Sequence, residues 1–413
     1  MKSRTTIVAT MVLAAGVRAA VNAASSVPEP HGVPELLTAF DGRAVTNRTA
    51  WESVRRPELL DRFLACMYGR RPTGADTPDL AFEAEDADVL MMGGKAIRKR
   101  IRIRYKGPFG ENSFCVLAFV PVSEKPTPAF VLICNRNPEK NIDPSRELKS
   151  DFWPAERIVE RGYAAVTFFN GDVAPETYNP ATAFLGGVFP CFECPWDRTD
   201  ESWGTLSAWA WGASRVIDWI EREPLIDSRR VAVVGHSRGG KACLLAGVTD
   251  SRFAMTCVNC SGCGGAKLAH IDLPGSEHYA AFLASRVTYW FCGAFQRYCM
   301  NHDIRAVARD GEMDFDQHEL LALIAPRLLA VGSASDDVWA GPVGEFHATR
   351  LASPVWELYG SSGIGAAAFP SRNSSIQSGS VCYHLREGKH DLTVYDWNAY
   401  MDFADSHGWR GQP

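Results

Sequence analysis

The pentapeptide Gly235-His236-Ser237-Arg238-Gly239 sets a serine between two glycines, directly after the apolar run VAVV and directly before GKACLLAG. A G-x-S-x-G element has chemistry when it makes a sharp strand-to-helix turn. The glycines admit the close packing and strained dihedrals of that turn, and the serine Oγ stands above the carboxyl end of a sheet. The flanking runs supply this context, so Ser237 reads as a nucleophile; the alternative is a turn serine that caps the helix. A nucleophilic serine needs a base to take its proton and an acid to orient that base. His384 lies inside the run SVCYHLREG, and His390 follows six residues later, past the glycine where the chain turns. His390 is the better base because a loop carries it over the strand ends, whereas His384 reads as a strand residue and His236 as a packing residue. The acid is expected just after a buried strand beyond the nucleophile, where RLLAVG is followed by Asp336 and Asp337. Helix capping or a solvated loop is the other use for that pair. Charge developing on a carbonyl oxygen calls for donors, which the backbone N–H of Arg238 and the loop Asn135-Arg136-Asn137 after FVLIC supply. The Arg238 guanidinium is a further donor within reach.

These side chains meet only if short buried strands alternate with helices. From about residue 128 the chain has that pattern, in AAVTFF, WGTLSAWAWGASRVIDWIERE, VAVVG, KACLLAGV, FAMTCVN, LLALIAP, RLLAVG, GEFHATRLASPVWELYG, SVCYHLREG and WNAYMDFADSHG. It predicts a mostly parallel central sheet flanked by helices, a three-layer α/β sandwich, and the order serine, acid, histidine is that of the α/β-hydrolase fold. The strand-like runs of residues 77–134, including the strict alternation of AIRKRIRIRYKG, are expected as antiparallel strands at one edge. Leu59, Leu60, Phe63, Leu64 and Met67 form one helical stripe in TAWESVRRPELLDRFLACMYGRRP. Residues 360–380 are loop by composition. There is no internal repeat of solenoid period.

With 413 residues, 46% hydrophobic and 22% charged, the chain is of globular composition and can bury a sizeable core. MKSR and the apolar run TTIVATMVLAAGV, followed by Val21-Asn22-Ala23, read as a secretory signal peptide over residues 1–23, which implies a secreted or periplasmic protein. Arg18 between the apolar run and the cleavage site leaves retention as an anchor as the alternative. A flexible lead-in over 24–34 and a single catalytic domain over 35–413 follow, with no later segment suited to span a membrane. Cleavage removes Lys2, Arg4 and Arg18 and no acid, taking the formal charge from −5 to −8. Such acidity, without a basic block, argues against nucleic acid and membrane surfaces as partners and favours a neutral or weakly charged substrate. The twelve cysteines sit mostly in apolar runs and read as buried free thiols; Cys191 and Cys194 are the pair best placed to react with each other. Their CxxC spacing has no second ligand pair, so no metal is expected, nor any other cofactor. A monomer is expected.

The serine motif SRGGK after a strand, DDVWAGPVGEF, YHLREGKHDLTVYDW and the helix AWAWGASRVIDWI together resemble the bacterial glucuronoyl esterases of carbohydrate esterase family 15. The likeness runs from WESVRRPELLDRF to DWNAYMDFAD, nearly the whole mature chain. It implies a serine esterase that cleaves, through an acyl-enzyme, the ester between a 4-O-methyl-glucuronic acid branch of xylan and a lignin alcohol. Position by position, it implies that Ser237 is the nucleophile, Arg238 the oxyanion-hole arginine, Asp337 the acid and His390 the base. It also implies that Lys241 contacts sugar hydroxyls, that Trp339 is the tryptophan paired with the acid, and that Glu277 in GSEHY is a further sugar contact. One departure stands out. Fungal members, and some bacterial ones, carry a glutamate on the loop after the strand that follows the nucleophile, and here that loop is NCSGCGG with Cys260 in its place. A thiol cannot hold an imidazolium, so the orienting role falls on Asp337.

The residues point the same way by themselves. Lys241 lies one helical turn beyond Ser237, where its ammonium can reach the acyl half of an ester, and Trp339 is placed to stack on a pyranose face. A solvated helix residue and a core tryptophan are the bland alternatives. Competing functions are an acetyl-xylan or other carbohydrate esterase on the same fold, a serine peptidase, or a non-catalytic glycan-binding relative. A small acetyl pocket leaves Lys241 without a task, and a non-catalytic relative should lack a triad member, whereas none is missing.

Overall fold

The computed structural model describes residues 27–300 and 313–410. Its frame is one sheet of eleven strands: β1 (Asp79–Ala84), β2 (Val89–Met91), β3 (Ala96–Lys106), β4 (Glu111–Pro121), β5 (Thr127–Cys134), β6 (Ala164–Phe169), β7 (Ile226–His236), β8 (Met255–Asn259), β9 (Leu328–Ala334), β10 (Ser374–Ser378) and β11 (Val381–Arg386). The spatial order is β1-β3-β4-β6-β5-β7-β8-β9-β11-β10, with β2 paired to β3. From β6 through β11 every neighbouring pair is parallel; β1, β2, β3, β4 and, at the far edge, β10 are antiparallel.

Side chains of a strand alternate between faces, and the central strands use both for burial. In β5, Ala129, Val131 and Ile133 enter one core while Phe130, Leu132 and Cys134 enter the other; Val231 and Val233 of β7 divide from Ala232 and Val234 in the same way. The first core is covered by α2 (Thr205–Ile220), α3 (Arg238–Thr249), α4 (Gln317–Ala322) and α5 (Pro342–Ala352), the second by α6 (Val394–Ser406) and the turn of helix at Ala155–Glu160. The result is a three-layer α/β-hydrolase sandwich. Every residue of α2 except Asp218 is buried, as its near-continuous apolar sequence requires. The helix α1 (Arg56–Phe63) continues into a wider turn at Leu64–Tyr68, and Leu59, Phe63 and Met67 of its stripe reach the core. On β3 the alternation turns Ile101, Ile103 and Tyr105 inward, while Arg100, Arg102 and Arg104 pair with Glu85 and Glu83 on or just beyond β1. That charged surface suits an edge that must not recruit another strand.

Two expectations need correction. The strand at 127–134 does not belong to the antiparallel edge: β5 runs parallel between β6 and β7, because the apolar run after Thr127 needs cover on both faces. The stretch 360–380 is not loop throughout, since Ser374–Ser378 pairs with β11 as β10. Backbone pairing at an edge with one solvated face tolerates serine and glutamine, which composition alone reads as loop. The expected signal peptide, residues 1–23, lies outside the described residues. Of the lead-in, residues 27–34 lie against the body: the His31 N–H donates to the His270 carbonyl at 3.1 Å, and Arg350 donates to Glu29 at 2.9 Å. All twelve cysteines are free thiols, Cys191 and Cys194 among them. No helix among the described residues is long and apolar enough to cross a membrane.

Candidate active site

Ser237 follows β7 and opens α3 with φ +56° and ψ −127°, a positive-φ conformation that a serine rarely adopts. Such a backbone costs on the order of 1–3 kcal/mol and is held by its surroundings. The Ser237 N–H donates to the Asn259 carbonyl at 2.9 Å, and the Ser237 carbonyl accepts from Gly240 at 2.9 Å. A Cβ at Gly235 would stand 2.1 Å from the Gly239 carbonyl oxygen, and one at Gly239 would stand 3.1 Å from Asn135 Oδ1. The turn can therefore close only with glycine at the first position and is tight at the second. The Ser237 hydroxyl makes no capping bond to α3, which removes the capping alternative. The residue stands at the carboxyl edge of the sheet, directly after β7.

The same edge delivers the other groups. Strands β9 and β11 are parallel neighbours with Ala334 opposite Arg386, so the loops that leave them lie side by side. The Asp336 N–H donates to the Gly388 carbonyl at 2.9 Å, which ties the two loops together. In consequence His390 Nδ1 lies 2.5 Å from Asp337 Oδ2. Asp337 is buried and its other oxygen accepts from the Ala340 N–H at 3.1 Å, whereas Asp336 faces outward and pairs with Arg372. An ionised carboxylate accepts only, so Nδ1 carries the proton and Nε2 is the basic nitrogen. The His390 ring sits 4.5 Å, centroid to centroid, from the ring of His236, the residue immediately before Ser237. His236 itself is buried with Nδ1 2.7 Å from Asn259 Oδ1; burial, reinforced by neighbouring His390, pushes its pKa well down and keeps it neutral. His384 is in the body of β11, where Nε2 meets Asp396 Oδ1 at 2.8 Å.

Arg238 starts α3, where a backbone N–H has no intrahelical acceptor and is free for a ligand. Its guanidinium is anchored by Glu176 at 2.9 Å and by the Asn135 carbonyl at 2.9 Å, which binds the nucleophile turn to the loop after β5. That loop also reaches the base, since Arg136 pairs with Asp391 at 2.8 Å. Lys241, one turn along α3, is buried rather than solvated. Its Nζ donates to the Ser261 carbonyl at 2.6 Å and to Glu277 Oε2 at 2.9 Å, leaving one of the three ammonium donors. The Glu277 N–H donates to the Trp339 carbonyl at 2.7 Å, and the Trp339 indole is 49% exposed, which makes it a rim residue and not a core one. Lys241, Glu277 and Trp339, far apart in sequence, thus form one connected wall.

Cys260 lies in the loop after β8, buried, with φ +40°. Its thiol is pushed well up by burial first, then by the charges of Glu345 and Asp396, so it stays protonated. Cys260, Asp337 and His390 offer ligand-type atoms within 4.8 Å of one another. Two of the three, Asp337 and His390, are already joined through the Oδ2–Nδ1 contact. Glu345 of α5 fixes the same loop. It accepts from the Ser261 N–H at 2.7 Å, the Ser261 hydroxyl at 3.0 Å, the Gly262 N–H at 3.0 Å and the Ser333 hydroxyl at 2.6 Å. Neither Glu345 nor Glu176 was legible as a site residue: Glu345 lies within DDVWAGPVGEF, but the Ser261 and Gly262 groups it holds come from the loop after β8, and Glu176 has no motif around it.

The family model for fungal glucuronyl esterases matches residues 151–360. The carbohydrate esterase MZ0003, from an unknown prokaryotic organism, is 32% identical over 93% of this chain and 91% of its own. The 4-O-methyl-glucuronoyl methylesterase of Hypocrea jecorina is 33% identical, over 52% of this chain and 46% of its own. Among solved structures, a glucuronoyl esterase from Solibacter usitatus superposes with a TM-score of 0.80 at 34% identity, covering 92% of this chain and 98% of its own. With this fold and this extent of shared sequence, the chain belongs to the glucuronoyl esterases of carbohydrate esterase family 15 and is a carboxylic ester hydrolase.

Proposed function

We propose that this chain hydrolyses the ester joining 4-O-methyl-glucuronic acid on xylan to a lignin alcohol, with Ser237 as nucleophile, His390 as base and Asp337 as its orienting acid. The observation that carries this reading is the His390–Asp337 pair seated against the Ser237 turn, beside a buried ammonium. Ser237 Oγ attacks the ester carbonyl carbon and passes its proton to His390 Nε2. The carbonyl oxygen, now negative, is met by the Arg238 N–H and guanidinium. As the intermediate collapses, the bond to the alcohol oxygen breaks and His390 returns the proton to that oxygen. Water then attacks the acyl-enzyme, its proton going to the same nitrogen, and the uronic acid leaves Ser237. Asp337 remains ionised throughout and holds the imidazolium.

Lys241 and Glu277 present one cation and one acceptor to the hydroxyls of the acyl sugar, and Trp339 offers an indole face to its ring. The esterified uronate is neutral, which suits an acidic protein. The signal-peptide pattern of residues 1–23 supports a secreted or periplasmic enzyme; one catalytic domain over 35–413 would act as a monomer on glucuronoxylan or lignin-carbohydrate esters, without nucleic acid, membrane or cofactor. The purified mature chain should hydrolyse benzyl glucuronate far faster than nitrophenyl acetate. A preference for the acetate would favour the acetyl-esterase reading instead.

A further inference from the structure

We propose that Arg386 is a positioning residue for the base, gripping the backbone on both sides of His390. This rests on the assignment of His390 above. The imidazole stands on the loop after β11, with its side chain 37% exposed, and one contact to Asp337 does not define where Nε2 points. The loop itself is held from beneath. Arg386, the last residue of β11, is 4% exposed, and its Nη2 donates to the Lys389 carbonyl at 2.6 Å and to the Asp391 carbonyl at 2.5 Å. Its Nη1 donates to the Glu387 carbonyl at 3.3 Å. The chain wraps the guanidinium closely: Gly388 has φ +116°, and a Cβ there would lie 3.0 Å from Nη1.

A buried cation needs an anion, and Asp396 provides it, accepting from Arg386 Nε at 2.9 Å. Asp396 is itself completely buried and caps α6 through the Thr393 N–H and hydroxyl, at 2.8 and 2.9 Å. His384 occupies its second oxygen. The base loop is thereby joined to β11 and α6 through one planar fork whose donors are directed at three carbonyls and a carboxylate. A lysine ammonium, a point charge on a flexible stem, cannot reproduce that set. Misplacing a reacting group by about 1 Å costs on the order of 10²-fold in rate, so the fork's geometry should appear in turnover and not in binding.

The test is Arg386→Lys, assayed with benzyl glucuronate, with thermal unfolding followed by circular dichroism and glucuronate affinity measured in a Ser237→Ala background. We expect kcat to fall about 10²-fold, KM and glucuronate affinity to stay within about threefold, and the protein to remain folded at the assay temperature. Reaction of Ser237 with a fluorophosphonate should slow in proportion to kcat. A folded Arg386→Lys protein with kcat within twofold of the parent overturns the proposal, as does a loss of affinity matching the loss of turnover. If that variant folds poorly, Gly388→Ala, which presses on Nη1 from outside, takes its place with the same two readings. His390→Ala serves as the control: retained activity there would defeat the assignment of the base, whereas an inactive His390→Ala beside an unimpaired Arg386→Lys would defeat the clamp alone.

Discussion

The Lys241 ammonium and the Glu277 carboxylate lie 2.9 Å apart, both buried, beneath the rim that carries Trp339. A buried ion pair holds its geometry because breaking it strands a charge, so these two residues act as a unit. Lys241→Met should raise KM for benzyl glucuronate about tenfold or more while changing nitrophenyl acetate hydrolysis far less. The double variant Lys241→Met/Glu277→Gln should fall short of the summed single effects, the signature of coupled residues. Equal losses on both esters would place the pair outside sugar recognition.

Ser237→Ala should lower kcat by a factor on the order of 10⁴ or greater and leave carbohydrate affinity near the parent value. Asp337→Asn keeps the shape but releases the Nδ1 proton from an anionic acceptor, and it should cost about 10³–10⁴-fold. Unimpaired turnover in Asp337→Asn would mean that another group orients the imidazole.

Gly262 has φ +63°, and a Cβ built there stands 2.5 Å from Glu277 Oε2. Gly262→Ala should therefore displace the carboxylate from Lys241 and raise KM for the uronate ester, besides costing about 1–2 kcal/mol for the left-handed backbone. Steady-state kinetics alongside thermal melts separate the two effects. A variant with altered melting and unaltered KM would show that Glu277 does not meet the substrate.

Burial, the largest influence, pushes the Glu345 carboxyl up from 4.5 to about 7, against hydrogen bonds from Ser333, Gly262 and Ser261. An acid raised on folding keeps its proton in the native state while the unfolded chain loses it. Its burden on stability is absent below about pH 4.5, grows as pH rises to about 7 and is constant above, reaching on the order of 3 kcal/mol. Glu345→Gln stays neutral, and the Ser333 hydroxyl can rotate to accept from the new amide. The melting temperature of the variant relative to the parent should thus rise between pH 5 and pH 8. A difference independent of pH would contradict the burial of an ionisable proton at this position.

How far each feature was legible follows from the range over which its cause acts. The nucleophile turn is a local structure: two glycines, a strand before and a helix after, all within fifteen residues, and the backbone adopts the strained dihedrals that this spacing anticipates. His390 and Asp337 were legible because each follows a strand-like run, and parallel strands release their loops at one edge. Edge strands are harder, since β10 gains its stability from backbone pairing with β11 and its own residues are mostly serine.

What the amino-acid order determined by itself was the alternation of strand and helix, the serine turn and the set of chemically competent side chains, because propensity, periodicity and glycine sterics act between near neighbours. Tertiary structure alone decided which charge meets which. It buried Lys241 against Glu277, tied Arg238 to Glu176, set Glu345 behind the Cys260 loop and joined Arg386 to Asp396 under the base. Partners such as these are chosen by strand order and by the low polarisability of the interior, which makes an unmatched charge costly, and neither can be read from one segment of chain.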